Sequence, residues 1–246
     1  MDWKERPAKQ KARDWLLSQL DLKRVDTYLG LPAGEAIFER LLVKEHPVSS
    51  MELFERDLDV AEYLRESIFA YNLRGTTLPE WKHARSVIVN ETDVDVWLGL
   101  AREFAPSFPS YDLAWLDYCG PITSTRLENL QNLAEAMPDD GVLAVTFMAC
   151  REGAEVFGEM VEADSSVAII RKNRRSDAET PEKHLKRIRI VTNALLEKTF
   201  PLRIKVLPYQ DGAPMLLFVI KKSDSKRGIV SLARRTSVEV LPSLKD

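Results

Sequence analysis

Alternation between strand-like and helix-like apolar patterns constrains this chain more than any other feature. Short apolar runs rich in β-branched and aromatic residues recur at 24–32, 49–57, 85–93, 110–118 and 142–150. A segment with helical apolar spacing follows each of the first four, and two further strand-like runs close the pattern within 202–222. Such alternation is typical of a sheet with helices on both faces. We therefore predict an α/β fold built as a three-layer sheet, mostly parallel, with a C-terminal antiparallel strand pair.

A single sheet domain is predicted to account for most of the chain. It spans residues 24–222 and contains an insertion at about 151–181, where the alternation lapses. Residues 1–23 precede it as a helical extension, and residues 223–246 follow as an appendage with one β-prone piece, "SVEVLP". The sequence contains no internal repeat and no low-complexity linker, which favours one domain over two.

Composition argues against several classes of protein. The 246 residues are 45% hydrophobic and 30% charged, and no apolar run approaches the roughly 20 residues of a membrane span. The first residues, "MDWKERPAKQ", are charged and lack the apolar region of a signal peptide. Two cysteines are too few for a disulfide framework, and three scattered histidines add no support for a zinc site. We expect a cytoplasmic protein that binds no metal and no membrane.

Basic residues are concentrated in one part of a chain whose net charge is −3. Between positions 171 and 205, eleven Lys or Arg residues stand against four Asp or Glu residues. The densest stretch, "RKNRR", contains Arg171, Lys172, Arg174 and Arg175. These four side chains are candidates for holding the phosphates of DNA or RNA, although a solvated helix face with a charged loop explains the same pattern.

Polar residues at the ends of the predicted strands indicate where a ligand would bind. In open parallel sheets the ligand lies beyond the carboxyl ends of the strands, where the strand order reverses. The first strand ends in "GLPAGEA", in which Gly30, Pro32 and Gly34 lead into a helix. Glycine allows the backbone to approach a ligand closely, and a helix start offers free N–H groups. An ordinary Pro/Gly turn is the alternative.

Acidic residues end the second, third and fourth strands. Glu55 lies 21 residues after Gly34, a spacing suited to a carboxylate that binds the hydroxyl groups of a ribose. Asp57 fits this role less well and is a natural cap for the following helix. Taken alone, an acid at this position is as readily a helix cap as a ligand. Combined with the glycine turn, Glu55 favours a ligand.

The order of strands and acids resembles that of the class I, Rossmann-like, S-adenosylmethionine-dependent methyltransferases. The resemblance covers roughly residues 24–222 and rests on arrangement, since Pro32 and Ala33 interrupt the Gly-x-Gly-x-Gly pattern common in that family. It implies that S-adenosylmethionine is the cofactor and that the "GLPAGEA" turn contacts its methionine part. It further implies that Glu55 binds the ribose and Asp93 the adenine.

The segment "LDYCGP" at the end of the fourth strand would then border both cofactor and substrate. In one interpretation Asp117 positions a nitrogen nucleophile and Tyr118 stacks on a base, so that both residues are catalytic. In a second, the thiol of Cys119 attacks a pyrimidine ring. In a third, the segment is scaffolding: Asp117 caps a turn, and Gly120-Pro121 redirects the chain.

Two functions from different classes fit these observations. The first is S-adenosylmethionine-dependent methyl transfer, to a nucleic-acid base or another nitrogen nucleophile. The second is a catalytically inactive Rossmann-like protein that acts as a binding or interaction module. The interrupted glycine motif favours the second function, whereas Glu55, Asp93 and Asp117 favour the first, because an inactive site has no use for three carboxylates aimed at one crevice. The residues leave open whether a second copy of the chain, or another protein, completes the site.

Overall fold

One mixed β-sheet runs through the part of the chain that the structure describes. In a computed structural model of the protein, the described residues are 6–20, 25–32, 36–46, 48–73, 86–105, 108–149, 169–171, 182–198, 201–222 and 237–244. Within these residues the sheet has nine strands, in the order β3-β2-β1-β4-β5-β8-β7-β9-β6. The strands are β1 Val25–Gly30, β2 Val48–Phe54, β3 Ser86–Asn90, β4 Leu113–Asp117, β5 Val142–Met148, β6 Ile169–Arg171, β7 Leu202–Asp211, β8 Ala213–Lys222 and β9 Ser237–Val240.

Helices connect the strands and cover both faces of the sheet. They are α1 Pro7–Ser18, α2 Ile37–Glu45, α3 Leu58–Leu73, α4 Val94–Phe104, α5 Ser124–Ala136 and α6 Glu182–Lys198. Buried residues of α1, α2 and α3 form one hydrophobic core with the sheet, and those of α4, α5 and α6 form a second. The central strand β5 is buried from Val142 to Phe147. This architecture confirms the predicted three-layer sheet.

Strand direction also agrees with the prediction. Strand β8 runs antiparallel to both β5 and β7, whereas every other pairing among the described strands is parallel. The chain proceeds from β1 to β2 and β3 on one side, and then returns to the other side of β1 with β4. The strand order therefore reverses between β1 and β4, which puts the ligand crevice of such sheets at their carboxyl ends.

Strands from the predicted insertion and appendage extend the sheet. Strand β9, from the appendage, pairs in parallel with β7, and β6, from the insertion, pairs in parallel with β9 at the edge. The predicted N-terminal extension also contributes, because α1 packs on the sheet through Ala8, Ala12 and Leu16. The extension, insertion and appendage thus each add an element to the layers of the same sheet.

The start of β4 is fastened to β1 by a carboxylate. Oδ2 of Asp112 accepts hydrogen bonds from the backbone N–H groups of Asp26 and Thr27, at 2.8 and 2.9 Å. The Thr27 hydroxyl lies 3.2 Å from the same oxygen, and it accepts in turn from the Asp112 N–H at 3.1 Å. These bonds fix the register of the two strands between which the crevice opens.

Candidate functional site

Asp117, the last residue of β4, forms a buried ion pair with the N-terminal helix. Nζ of Lys9, on α1, lies 2.9 Å from Oδ2 of Asp117, and the two side chains are only 6% and 10% exposed. The other carboxylate oxygen, Oδ1, is also buried, and it has no hydrogen-bond partner among the described residues. Buried polar atoms are normally satisfied. At the carboxyl end of the central strands, Oδ1 is therefore an acceptor to which no described residue donates.

Helix α1 is attached to the sheet at both of its ends. At its start, Nη1 of Arg6 lies 3.1 Å from Oδ2 of Asp211, at the end of β7. After its last turn, the side-chain and backbone oxygens of Gln19 accept hydrogen bonds from Nζ of Lys205 and Lys221, at 2.6 and 2.5 Å. These contacts, together with the buried alanines, hold Lys9 over the end of β4.

The surroundings of Asp117 include a thiol and a phenol. Cys119 is exposed, but desolvation by the surrounding protein atoms raises the pKa of its thiol, and the Asp117 carboxylate raises it further, although Lys9 opposes the shift. A thiol with a raised pKa is protonated at neutral pH, which does not favour its interpretation as a nucleophile. Tyr209, on β7, is buried and hydrogen-bonded to Thr146. Its pKa is raised mainly by burial, and to a smaller extent by the negative charges of Asp117 and Asp211.

Tyr118, the other residue predicted to be catalytic, belongs to a different environment. Its ring is buried in the second core, stacked on Phe147 with 5.6 Å between centroids, and its hydroxyl donates to Oδ1 of Asp95 at 2.6 Å. The guanidinium of Arg126 covers the ring at 4.3 Å. Burial and the Asp95 carboxylate raise the pKa of Tyr118. The structure therefore does not bring Tyr118 together with Lys9 around Asp117.

Asp95, near the start of α4, is a residue that the sequence interpretation missed. Besides Tyr118, it accepts hydrogen bonds from Nε of Arg126 at 3.3 Å and from Nδ2 of Asn129 at 2.9 Å. Arg126 and Asn129 are three residues apart on α5 and thus share a face of that helix. Their polar side chains beside the apolar Leu127 and Leu130 were the one signal of this network in the sequence. Lys9 was missed too, although it lies four residues before Arg13 on the inward face of α1.

Two of the predicted cofactor residues accept backbone hydrogen bonds next to the starts of helices, whereas α3 itself is capped by Asp57, which accepts from the N–H groups of Asp59 and Val60. Oε1 of Glu55 accepts from the backbone N–H of Asp57 at 2.9 Å, just before α3. Oδ1 of Asp93 accepts from the N–H of Asp95 at 2.8 Å and caps α4. Glu55, Asp93 and Asp117 nevertheless lie at the ends of three parallel strands at the same edge of the sheet, and the backbone bonds to Glu55 and Asp93 each use one carboxylate oxygen. Their assignment to ribose and adenine stays a prediction.

The first turn of the sheet contains one strained residue. Gly30 ends β1 and Pro32 is buried just after it, whereas Gly34 lies outside the described residues. Ala36, directly before α2, has φ and ψ of 45° and is left-handed, a conformation that costs a non-glycine residue about 1–2 kcal/mol. Backbone strain of this kind is concentrated at functional sites.

Gly30 leaves room for the ring of Tyr28. A Cβ atom added to Gly30 would lie 2.3 Å from the Tyr28 hydroxyl oxygen and 2.6 Å from two ring carbons. The ring cannot easily move aside, because Tyr28 is fully buried and its hydroxyl donates to Oε1 of Glu39 at 2.8 Å. Packing within β1 is therefore a sufficient reason for a glycine at this position.

Gly30→Ala is expected to lower the free energy of unfolding by about 1–3 kcal/mol, because the added methyl group overpacks a rigid site. Urea denaturation measures the loss. Gly99→Ala is the matched control, since a Cβ atom there meets nothing within 4 Å and alanine favours the helix by about 1 kcal/mol. Equal stabilities of the two variants would contradict this account of Gly30.

Of the basic residues predicted to bind substrate, the structure describes Arg171 alone. Lys172, Arg174 and Arg175 lie outside the described residues. Arg171 ends β6, at the edge of the sheet five strand positions from β4. At about 4.8 Å per strand, its backbone is roughly 24 Å from that of Asp117.

Helices in the described ranges show no membrane-spanning candidate, because none combines enough length with enough apolar character.

Comparison with known proteins gives structural neighbours only. No family model matches the sequence, and no curated protein is significantly similar to it. A protein assigned as an rRNA methylase from Clostridium thermocellum aligns with 87% of this chain and 95% of its own, at a TM-score of 0.50 and 10% identity. A precorrin-6y C5,15-methyltransferase from Geobacter metallireducens covers 91% and 94%, with a TM-score of 0.48 and 14% identity. The N-methyltransferase NodS from Bradyrhizobium japonicum covers 89% and 99%, with a TM-score of 0.47 and 13% identity.

The similarity to the Clostridium protein, at 10% identity, shows the fold alone. This structural similarity agrees with the strand order of the sheet and with the antiparallel direction of β8. The chain therefore has the Rossmann-like fold of class I methyltransferases.

Proposed function

We propose that this protein transfers a methyl group from S-adenosylmethionine to a nucleic-acid base or another nitrogen nucleophile. The observation that carries the proposal is that Oδ1 of Asp117, at the carboxyl end of β4 beside the reversal of strand order, has no hydrogen-bond partner in the described part of the chain. A buried acceptor at that position suits a substrate that presents an N–H group, because the hydrogen bond would direct the nitrogen lone pair.

The residues around the crevice fit the proposed cofactor. S-adenosylmethionine supplies an electrophilic methyl group when it is bound. The turn from Gly30 to Pro32 would lie against its methionine part, the carboxylate of Glu55 would accept from its ribose, and Asp93 would accept from its adenine. Asp117 would orient the methyl acceptor, and Tyr118, fixed by Asp95, would support the wall of the site from the other face of β4.

Calorimetry with S-adenosylmethionine and S-adenosylhomocysteine tests the proposal. We expect both to bind, and we expect Glu55→Ala to weaken binding by about 1–3 kcal/mol through the loss of a charged hydrogen bond. Asp139→Ala, in the exposed turn after α5, is the control and should leave affinity unchanged. Absence of heat at high protein concentration would refute cofactor binding, and unchanged affinity in Glu55→Ala would remove the ribose assignment.

A nucleic-acid partner is part of the same proposal. It is supported by the excess of basic residues between positions 171 and 205. Replacing Arg171, Lys172, Arg174 and Arg175 together by alanine should flatten the salt dependence of DNA or RNA binding by about 0.7–0.9 in log–log slope for each phosphate that is no longer neutralised. Filter binding or fluorescence anisotropy between 50 and about 200 mM salt gives the slope. An unaltered slope would exclude this segment as the phosphate-binding surface.

The inactive Rossmann-like protein is the second candidate, and one observation favours it. The Tyr28 ring fills the space next to Gly30, on the face of β1 that it shares with that glycine. A tyrosine there, two residues before the glycine, leaves less room for a cofactor near the first turn. The calorimetric experiment separates the two candidates, since an inactive binding module without the cofactor gives no heat with either compound.

A further inference from the structure

Helix α1 carries two buried cations, one of which pairs with the end of β4. Lys9 and Arg13 are both buried, four residues apart on the inward face of the helix. A charge in such a place is costly unless it is paired. Lys9 is paired with Asp117, and Arg13 lies near the buried carboxylate of Glu39 on α2. The helix of the N-terminal extension thus supplies charges that the sheet itself lacks.

The Lys9–Asp117 pair leaves the carboxylate electrically balanced and yet able to accept a hydrogen bond. Oδ2 faces the ammonium group, and Oδ1 has no partner among the described residues. Burial acts to lower the pKa of Lys9, but Asp117 outweighs it, so the pKa is raised and the ammonium is retained at neutral pH. Other opposite charges lie near the pair: Arg6 is paired with Asp211, and Arg13 acts to lower the pKa of Glu39, which burial raises.

We propose that Lys9 determines which kind of methyl acceptor the site takes: by cancelling the charge of Asp117, it makes Oδ1 an acceptor for a neutral N–H or O–H donor instead of a counter-ion for an alkylammonium group. Neutral donors of this kind include a ring amine, an amide and a hydroxyl. The proposal rests on the proposed function, and it makes Lys9 a specificity-determining residue.

Two physical arguments favour the neutral acceptor. An incoming ammonium group would have to lose its water beside a carboxylate whose charge Lys9 already balances, and it would meet the Lys9 cation at short range. In addition, a protonated amine has no lone pair and must be deprotonated before it can attack. A neutral ring amine or hydroxyl retains its lone pair while it donates to Oδ1.

Cys119 provides a reporter of the local charge that does not depend on catalysis. It is exposed, and its thiol senses both Asp117 and Lys9. In a Cys150→Ala background it is the one remaining cysteine of the chain. The rates of its reaction with a cationic and an anionic methanethiosulfonate reagent are measured, and their ratio is taken. Because both reagents attack the same thiolate, the ratio reports electrostatic potential and is insensitive to changes in thiol pKa.

Lys9→Met is expected to raise the cationic-to-anionic ratio about tenfold by leaving the Asp117 charge uncancelled. Lys9→Arg should retain the wild-type ratio, and Asp117→Asn should lower the ratio. The double variant Lys9→Met/Asp117→Asn should return it to the wild-type value, which provides a readout even if the single Lys9 variant fails to fold. A ratio that is the same in the wild type, Lys9→Met and Asp117→Asn overturns the proposal.

The second arm measures the chemical preference itself. Binding of aniline, which is neutral at pH 7, and of benzylamine, which is cationic, is compared by NMR on protein saturated with S-adenosylhomocysteine. The wild type should prefer aniline, and Lys9→Met should prefer benzylamine. An unchanged preference, or no binding of either probe, overturns the proposal. Failure of S-adenosylhomocysteine to bind would instead refute the proposed function, while the Cys119 ratio would still show whether Lys9 cancels the charge of Asp117.

Discussion

Asp117→Ala is expected to lower the free energy of unfolding by about 3–5 kcal/mol, because it leaves the buried ammonium of Lys9 without a partner. Both side chains are almost completely buried, so water compensates poorly for the missing carboxylate. The loss should appear in urea denaturation as a shift of the midpoint with little change of slope. It would be large for a substitution at the end of a strand.

A double variant separates loss of the pair from loss of packing. Lys9→Met/Asp117→Leu replaces the pair by apolar side chains of similar size and should recover most of the stability. The exposed pair of Arg102 and Glu128 is the control, because Glu128→Ala should cost less than about 1 kcal/mol. If Asp117→Ala cost no more than Glu128→Ala, the ion pair would not be buried in solution.

Phe38→Ala is also expected to lower the free energy of unfolding by about 3–5 kcal/mol. Phe38 is 2% exposed on α2, and its ring meets that of Trp115 on β4 edge-to-face, with 4.3 Å between centroids. It also contacts the ring of Tyr28 on β1, at 6.2 Å. Removing the Phe38 ring would leave a cavity between α2 and the strands β1 and β4, between which the strand order reverses.

Phe104 provides the matched control for Phe38. It ends α4 and is 77% exposed, so Phe104→Ala should leave the unfolding midpoint nearly unchanged. Equal effects of the two substitutions would contradict the packing of α2 on β1 and β4. A cavity that Trp115 can partly fill would bring the loss for Phe38 towards the lower end of the range.

The sheet could be predicted from the sequence because its signals are local. The apolar run 142–150 has the continuous pattern of a strand covered on both faces, and β5 lies at that position with both faces buried. The pairing of β9 with β7 had no such signal. "SVEVLP" indicates a strand, but its partner is decided by the surface that remains open after the rest of the sheet has formed.

The candidate site was predicted in position but only partly in composition. Asp117 was singled out because it ends β4, and the carboxyl edge of such sheets holds ligands. Tyr118 faces the other side, as the twofold alternation of side chains along a strand requires. Lys9 was not foreseen, because a lysine in a charged N-terminal segment is usually solvated. Its burial requires Asp117 on β4, with which it pairs, and the attachment of α1 to β7, and these strands lie some 100 and 200 residues further along the chain.

That long separation has a consequence for synthesis on the ribosome. Helix α1 is made first, but Arg6 is paired with a residue 205 positions later, on β7. At about 5–20 residues per second, the helix emerges roughly 10–40 s before that strand exists. Until then its apolar stripe of Ala8, Ala12 and Leu16 has no β7 to cover it. The ammonium group beside Asp117 is thus among the last parts of the site to be assembled, and a nascent chain stalled before β7 would carry an incomplete one.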